Sequence, residues 1–205
     1  MCTARSGAGR AAFRRRSTVA LACLLLSGCA SARPTGTAQV PTAASIDWRN
    51  RAYSVTCDGL IPGGLPASVV NGTARVAADP SRPPFFDHYD VRVRGTATGD
   101  LDGDGAPDAV VLLDCSPQPS NGIVQEVQIF SSTGALLGGL PSPRTLQGPA
   151  ILPPEYDPAG LSVRHGEIVA AMRAYGPNDV HATGPSVPLT VRWRFDGGRF
   201  VRVAP

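Results

Sequence analysis

The segment between residues 99 and 113 holds the side chains whose types and spacing point most directly to chemistry. Four carboxylates occupy positions 1, 3, 5 and 9 of a short loop, and they are Asp100, Asp102, Asp104 and Asp108. Carboxylates this close raise one another's pKa when no cation lies between them. Ca²⁺ removes the conflict because it takes about six to eight oxygen ligands, and Gly105 at position 6 permits the sharp turn that such loops need. The sequence therefore predicts one structural Ca²⁺ ion, with the carbonyl of Ala106 at position 7 as a further ligand.

The residues after this loop indicate a strand and not a helix. An EF-hand would place a glutamate at position 12 on an outgoing helix. Here position 12 is Val111, inside the apolar run Ala109–Leu113. A short, partly β-branched apolar run is typical of a buried strand. We therefore predict a loop that leads into a buried strand.

This arrangement resembles the calcium loop of the FG-GAP and VCBS-type repeats of integrin-like β-propellers, in which Asp-x-Asp-x-Asp-Gly-x-x-Asp precedes a hydrophobic strand. The resemblance covers Gly99–Leu113 and implies the same ligands, namely side-chain oxygens of Asp100, Asp102, Asp104 and Asp108 and the carbonyl of Ala106. The Phe-Gly…Gly-Ala-Pro element of those repeats is absent upstream, and the loop occurs once. A propeller needs at least four blades of about 40 residues, so the propeller fold is not expected.

The first 28 residues have the composition of an export signal. A basic region that ends at Arg16 precedes the apolar stretch 19–26, which is too short to span a membrane. The stretch runs into Leu26-Ser27-Gly28-Cys29, which resembles the bacterial lipobox. That resemblance implies a lipid on Cys29, the first residue of the mature chain, and an anchor on the extracytoplasmic face of the cell membrane.

Export changes the charge of the chain. All 19 basic residues are arginines, and five of them lie in the signal segment, whereas none of the 16 acidic residues does. The mature chain keeps 14 arginines against 16 acids, a formal charge of −2. The mature part of the sequence has no cluster of arginines that could contact a nucleic-acid backbone, so a nucleic-acid partner is not expected. This Arg-only, Ala/Gly/Pro-rich composition resembles exported lipoproteins of high-GC Gram-positive bacteria.

Three of the five cysteines are accounted for by export and lipidation, because Cys2 and Cys23 lie in the signal and Cys29 carries the lipid. The remaining pair, Cys57 and Cys115, is predicted to form a disulfide, which is the usual state of paired cysteines outside the cytoplasm. Two buried free thiols are the alternative.

The mature chain divides into a tether and one domain. Residues 29–45 are rich in Ala, Thr, Pro and Ser and are predicted to be a disordered tether, whereas residues 46–205 are predicted to form a single calcium-binding domain. Period-two alternation recurs in this domain, as in 89–94 and 191–195, and Asn71-Gly72 is a two-residue hairpin signal. The proline-bearing stretches, including 141–158, are predicted to be loops. We predict a mainly β, antiparallel fold, curved into a sandwich or open barrel.

The sequence contains no recognisable catalytic motif. There is no Gly-x-Ser-x-Gly elbow, and the three histidines lie too far apart for a zinc motif. His88 with Asp90, and Asp179 with His181, are the nearest base–carboxylate pairs. Phe85 and Phe86 are a candidate ligand contact. We expect a monomeric, non-enzymatic module that binds an envelope protein or glycan. A cell-surface hydrolase, whose catalytic residues converge only in three dimensions, and a structural envelope component are the alternatives.

Overall fold

The computed structural model describes residues 42–204, and this part of the chain is built from strands joined by turns. Its helical elements are two 3₁₀ turns at Ala43–Ser45 and Pro143–Leu146. No helix among the described residues is long and apolar enough to cross a bilayer. The strands are β1 Ala52–Val55, β2 Leu65–Ser68, β3 Thr73–Ala77, β4 His88–Gly99, β5 Asp108–Gln118, β6 Val124–Phe130, β7 Leu136–Gly139, β8 Glu155–Arg164, β9 Glu167–Ala174, β10 Val187–Asp196 and β11 Arg199–Arg202.

The strands form three antiparallel sheets, and each sheet is contiguous along the chain. The central sheet has the order β3-β4-β5-β6-β7, the second sheet has the order β11-β10-β9-β8, and β1 pairs with β2. The central sheet is covered on one face by the β1–β2 hairpin and on the other by the second sheet. The predicted mainly β class is confirmed, and the arrangement is that of a sandwich because none of the sheets closes into a barrel.

Strand β5 explains why the sequence carries an unbroken apolar run at this point. Val110 and Leu112 belong to the core shared with the second sheet, whereas Val111 and Leu113 belong to the core under the β1–β2 hairpin. Successive side chains of a strand point to opposite faces, so a strand with a core on each side needs apolar residues at every position. The predicted buried strand at 109–113 is confirmed, since all five residues are completely buried.

A bulge in β4 redirects its side chains from one core to the other. Before the bulge, Val91 and Val93 pack under the hairpin, and after it Ala97 packs against the second sheet. The pairing shifts by one residue between Val93 and Gly95, and such an insertion reverses which residues face each side. Gly95 lies against β8, where an added Cβ would come within 3.1 Å of the Pro158 carbonyl oxygen.

Two predicted local features differ from the structure. Residues 155–158, placed in a loop by their prolines, begin strand β8, which tolerates Pro158 because it is an edge strand with an irregular stretch after Tyr156. The turn at Asn71-Gly72 forms, with both residues at positive φ. However, only Val70 and Thr73 pair across it, because β2 pairs with β1 and β3 pairs with β4.

The predicted disulfide is confirmed. Cys57 follows β1 and Cys115 lies in β5, and the two sulfurs are bonded across 58 residues of chain. Both cysteines are completely buried in the core under the hairpin. The bridge therefore fastens the hairpin and the loop after it to the central strand.

The predicted signal peptide, the lipidation site Cys29 and the tether up to residue 41 lie outside the described residues. The described part begins close to the core, because Ala43 is completely buried and its carbonyl accepts a hydrogen bond from Trp48 Nε1 at 3.0 Å. The boundary of the domain at residue 46 stays a prediction, and Ala43 already packs with the domain.

Candidate functional site

The aspartate loop joins β4 to β5 and is held by its own side chains. The carboxylate of Asp100 accepts hydrogen bonds from the backbone N–H groups of Gly103, at 2.7 Å, and Gly105, at 3.0 Å. Asp102 Oδ1 accepts from Asp104 N at 3.1 Å. Gly103 and Gly105 both have φ near +80°, a conformation that glycine adopts without a steric penalty. The glycines thus allow the chain to curl around its carboxylates.

Asp108 is the buried member of the loop. Its side chain is completely buried, and its Oδ2 accepts a hydrogen bond from Leu101 N at 2.9 Å. Its other oxygen, Oδ1, has no hydrogen-bond partner among the described residues. Burial raises the pKa of this carboxyl, and the neighbouring charge of Asp102 raises that pKa further, although the hydrogen bond from Leu101 opposes both. A buried acceptor without a donor is rare and needs an explanation.

Three of the predicted ligands come together. The carboxylates of Asp100, Asp102 and Asp108 each place an oxygen within 4.8 Å of the others. Three anionic oxygens at that separation could hold a metal ion, and a cation would supply the partner that Asp108 Oδ1 lacks. Asp104 lies outside this group, and its Oδ1 accepts a hydrogen bond from Ala106 N at 2.7 Å.

The loop is fastened to the second sheet by an apolar side chain. Leu101, which stands between two of the carboxylates, is 6% exposed and packs in the core between the central and second sheets. Gly99 lies against Val163 of β8, where a Cβ would come within 2.6 Å of Val163 Cγ1. The sequence prediction did not assign these contacts, although an isolated leucine in an otherwise polar loop is a signal of such an anchor.

The structure separates the predicted aromatic pair. Phe86 is half-buried and packs edge-on against Tyr89 with ring centroids 5.8 Å apart. Phe85 is 64% exposed and has a φ of 62°. Only Phe85 is therefore available as a surface contact.

The two histidine–carboxylate pairs make weak arrangements for catalysis. His88 Nε2 lies 3.7 Å from Asp90 Oδ2, and Asp90 is paired with Arg75 at 2.8 Å. Asp179 Oδ2 accepts hydrogen bonds from Gly176 N at 2.7 Å and from Ser186 N at 2.9 Å, so its carboxylate closes a loop. No described hydrogen bond joins Asp179 to His181.

A cavity that the sequence did not indicate lies on the hairpin side of β6. Its volume is about 480 Å³. The floor is β6, one wall is β1 with the loop after it, and the other wall is β7 with the residues that follow. Its polar lining residues are Ser54, Thr56, Asp58, Glu126, Gln128 and Ser142.

Glu126 is the central polar residue of this cavity. Its Oε2 accepts hydrogen bonds from Thr56 N at 3.0 Å, Thr56 Oγ1 at 2.7 Å and Asp58 N at 3.3 Å, and its Oε1 accepts from Gln128 Nε2 at 2.7 Å. A signal for it exists in the sequence, because Glu126 and Gln128 share a strand face with the apolar Val124 and Phe130. Polar residues on an inward face mark a cavity or a functional site.

A second cavity, of about 210 Å³, lies beside Asp58 and has a lining of carboxylates, a tyrosine and a histidine. Asp58, Glu155, Tyr175 and His181 line it. Tyr175 donates a hydrogen bond to Glu155 at 3.0 Å, and burial together with that bond raises the pKa of the phenol to about 12. Asp58 accepts from Ser142 at 2.9 Å and pairs with Arg144 at 3.3 Å. No described hydrogen bond joins either carboxylate to His181.

Comparison with known proteins gives no further assignment. No family model, no curated protein and no solved structure matches the chain. The functional interpretation therefore rests on the residues and their geometry.

Proposed function

We propose that the loop from Asp100 to Asp108 binds one Ca²⁺ ion in a structural role. The observation that carries the proposal is the completely buried Asp108, whose Oδ1 has no donor among the described residues and whose carboxylate lies in one cluster with those of Asp100 and Asp102. A hard divalent cation neutralises such a cluster and supplies the missing partner. The all-oxygen ligand set favours Ca²⁺ or Mg²⁺, and the flexible, glycine-bearing loop favours Ca²⁺ because Mg²⁺ demands near-ideal octahedral geometry.

The resemblance to FG-GAP and VCBS-type loops supports the same ion. The loop leads into the buried strand β5, as the loop of those repeats leads into a hydrophobic strand. In that family Asp104 and the carbonyl of Ala106 would also be ligands. A bound ion would draw Asp104 towards the other three carboxylates, at the expense of its hydrogen bond to Ala106 N.

A structural role is favoured over a catalytic one by the position of the loop. Leu101 fixes the loop to the core between two sheets, and Asp108 is the first residue of the central strand. An ion there would hold β4, β5 and the second sheet together. Catalytic metals need an open coordination position and a nearby base, and the histidine-bearing cavity is lined by none of the loop aspartates.

We infer further that the protein is a lipid-anchored, non-enzymatic binding module of the cell envelope. Three features support this inference. They are the lipobox-like Leu26-Ser27-Gly28-Cys29, the formal charge of −2 that remains after removal of residues 1–28, and the pair of cysteines expected in an exported chain. Replacing Cys29 by Ser should move the protein from the membrane fraction to the soluble fraction and remove the acyl mass. A variant that stays in the membrane fraction with an unchanged mass would exclude the anchor.

A cell-surface hydrolase is the second candidate, and the cavity that contains His181, Asp58 and Glu155 favours it. A histidine near two carboxylates could act as a general base if the loop that carries it closed onto Glu155. If the protein hydrolyses ester, peptide or glycoside test substrates, His181→Ala should abolish the activity. An activity that survives His181→Ala would remove this cavity as the catalytic centre.

The calcium proposal is tested by thermal unfolding in calcium and in chelator. At about 1 mM Ca²⁺ and a Kd near 10⁻⁴ M, typical of extracellular modules, linkage adds roughly 1.4 kcal/mol, which raises the Tm by about 3–6 °C. Asp108→Asn should lose this shift. In chelator the variant should melt at or above the wild type, because the amide can keep the bond from Leu101 N and can donate to Asp100 or Asp102.

Asp196→Asn is the matched control, since Asp196 is exposed at the end of β10 and lies far from the loop in sequence. It should retain the full calcium shift. Equal melting temperatures of the wild type in calcium and in chelator would refute the site. A rise of the Tm with Mg²⁺ but not with Ca²⁺ would identify Mg²⁺ as the bound ion.

A further inference from the structure

We propose that the cavity over β6 binds the cationic side chain of an extended peptide, a lysine ammonium or arginine guanidinium. The inference specifies the partner of the binding module proposed above, and in that respect it rests on that function. It is independent of the calcium site, which lies in the loop between β4 and β5 and shares no residue with the cavity.

The lining of the cavity carries negative charge that is only partly neutralised. Two carboxylates line the cavity, those of Asp58 and Glu126. Asp58 is paired with Arg144 at 3.3 Å, whereas no arginine or histidine among the described residues lies within ion-pair distance of Glu126. The chain contains no lysine. The lining thus carries an excess negative charge in a half-buried position, where Coulomb attraction for a cation is stronger than in bulk water.

The second argument is the hydrogen-bonding capacity that remains. Glu126 Oε1 accepts one described hydrogen bond, from Gln128 Nε2, and a carboxylate oxygen can accept two. Gln128 is 8% exposed, and its Nε2 is used by Ser54 O at 2.7 Å and by Glu126, while its Oε1 has no described donor. The floor therefore offers free acceptors. Ammonium and guanidinium groups, which carry only N–H donors, are the complement.

The third argument is the wall of the cavity, which suits a peptide backbone. β7 is the outermost strand of the central sheet, so its outer edge is not paired within a sheet of the described part. Both walls are rich in glycine, and these residues are Gly59, Gly63, Gly64, Gly138 and Gly139. Glycines leave backbone N–H and C=O groups open to close approach. An extended peptide that lies along a strand edge uses such groups.

The apolar lining completes the fit to a long basic side chain. Pro62, Leu136 and Leu140 line the cavity beside the carboxylates. Lysine and arginine bury their methylene stems on apolar surface while the charged head reaches a polar group. None of the residues that line this cavity is aromatic. A sugar ring would therefore find no aromatic face to stack on, which favours the peptide over a glycan.

The test uses the full chain and a capped, fluorescently labelled alanine hexapeptide with one central lysine. Its affinity, measured by fluorescence anisotropy, is compared with that of the same peptide carrying glutamine. We expect at least tenfold weaker binding of the glutamine peptide and a loss of the difference at high salt, because salt screens the charge. Equal affinity of the two peptides, or no binding of either, overturns the proposal.

The decisive variant is Gly63→Lys, with Gly63→Ala as its matched control. A Cβ at Gly63 meets nothing within 4 Å, so both variants should fold. The tethered lysine should compete for Glu126 and lower peptide affinity at least tenfold below that of Gly63→Ala. The alanine variant measures the effect of losing the glycine without adding a charge. Unchanged binding by Gly63→Lys would exclude this cavity as the binding site.

The same preparations distinguish this proposal from the others. A calcium-dependent Tm with no lysine-peptide binding refutes the cavity and keeps the calcium site. Lysine-peptide binding with no calcium-dependent shift of the Tm refutes the calcium site and keeps the cavity. Capture of an envelope protein that Gly63→Lys does not disturb keeps the binding module and refutes the cavity as its docking surface.

Discussion

Two acidic regions of the molecule differ in what their carboxylates lack. In the loop before β5, Asp108 is completely buried, and one of its oxygens has no donor in the part of the chain that the structure describes. In the cavity over β6, Glu126 receives four hydrogen bonds but has no cationic partner within residues 42–204. The first region lacks a hydrogen-bond donor for a completely buried oxygen, whereas the second lacks a cationic partner for a half-buried carboxylate that already accepts hydrogen bonds.

The difference comes from the backbone that surrounds each carboxylate. In the aspartate loop, the backbone N–H groups of 103, 104 and 105 are already used by Asp100 and Asp102. Around Glu126, the loop after β1 turns its free N–H groups towards the side chain. A carboxylate that lacks hydrogen-bond donors, such as that of Asp108, suits direct contact with a metal ion. A carboxylate that already accepts hydrogen bonds and borders a cavity, such as that of Glu126, suits a larger cation that donates one more hydrogen bond.

The largest expected effect comes from removal of the disulfide, which should weaken binding in the two regions to different extents. Replacing both Cys57 and Cys115 by Ala should destabilise the domain by about 4 kcal/mol, the loop-closure value for a 58-residue separation. The Tm should fall by about 8–16 °C. Cys57 lies between Thr56 and Asp58, whose N–H groups bind Glu126, so affinity for the lysine peptide should fall more than affinity for calcium.

Thermal unfolding and the two binding assays, performed well below the lowered Tm, measure these effects. The wild type treated with reductant is the control and should behave like the double variant. An equal loss of both affinities would show that the disulfide supports the domain as a whole and not the cavity in particular.

Leu101→Ala should act in the opposite sense. Truncating a buried leucine typically costs about 2–5 kcal/mol, and Leu101 is 6% exposed in the core between two sheets. The loop loses its anchor, so calcium affinity should fall while lysine-peptide affinity is retained. Ile151→Ala, at a position that is 61% exposed, is the matched control and should change the free energy of unfolding by less than about 0.5 kcal/mol. Undiminished calcium affinity of Leu101→Ala would contradict the anchoring role.

The smallest expected effect concerns a third carboxylate, that of Asp179, which accepts hydrogen bonds but is not buried. Hydrogen bonds from Gly176 N and from Ser186 hold the pKa of this carboxyl below 3.8. Because the folded pKa lies below the unfolded one, the unfolded chain takes up the proton first. The stability that this carboxylate contributes is therefore present above the unfolded pKa of 3.8 and is lost as the pH falls through the lower folded value.

Denaturant unfolding between pH 2 and pH 6, with Asp179→Asn beside the wild type, measures this term. The difference in the free energy of unfolding should be constant at the upper end and should shrink as the pH falls below 3.8. Parallel curves throughout would contradict the role assigned to these hydrogen bonds. Asp108 shows the reverse shift, because burial raises its pKa.

The local pattern predicted those features that depend on short stretches of chain. The apolar run 109–113 predicts a buried strand because both faces of β5 meet a core, and the alternation in 191–195 predicts β10 because its outer face meets solvent. The disulfide was predicted from the number of cysteines that remain after the signal segment and Cys29, together with the expected export of the chain. Three of the four aspartates predicted as ligands come together.

Features that depend on long-range contacts were not predicted. Pro158 lowers the strand signal of 155–164, and only its place at a sheet edge makes a strand possible there. Glu126 acquires its role from Thr56 and Asp58, about 70 residues earlier in the chain. Such a cavity arises where the hairpin crosses the central sheet, and no single window of sequence contains both.

The contiguity of each sheet along the chain has a consequence for the order of folding. Residues 73–139 form a complete meander whose pairings are all between neighbouring strands, so they can pair as soon as they are synthesised. One face of that meander carries Val110, Leu112 and Ile129, which the second sheet covers. That cover lies in residues 155–202. The nascent chain therefore exposes an apolar surface until its last quarter emerges, and this interval is when aggregation competes most strongly with folding.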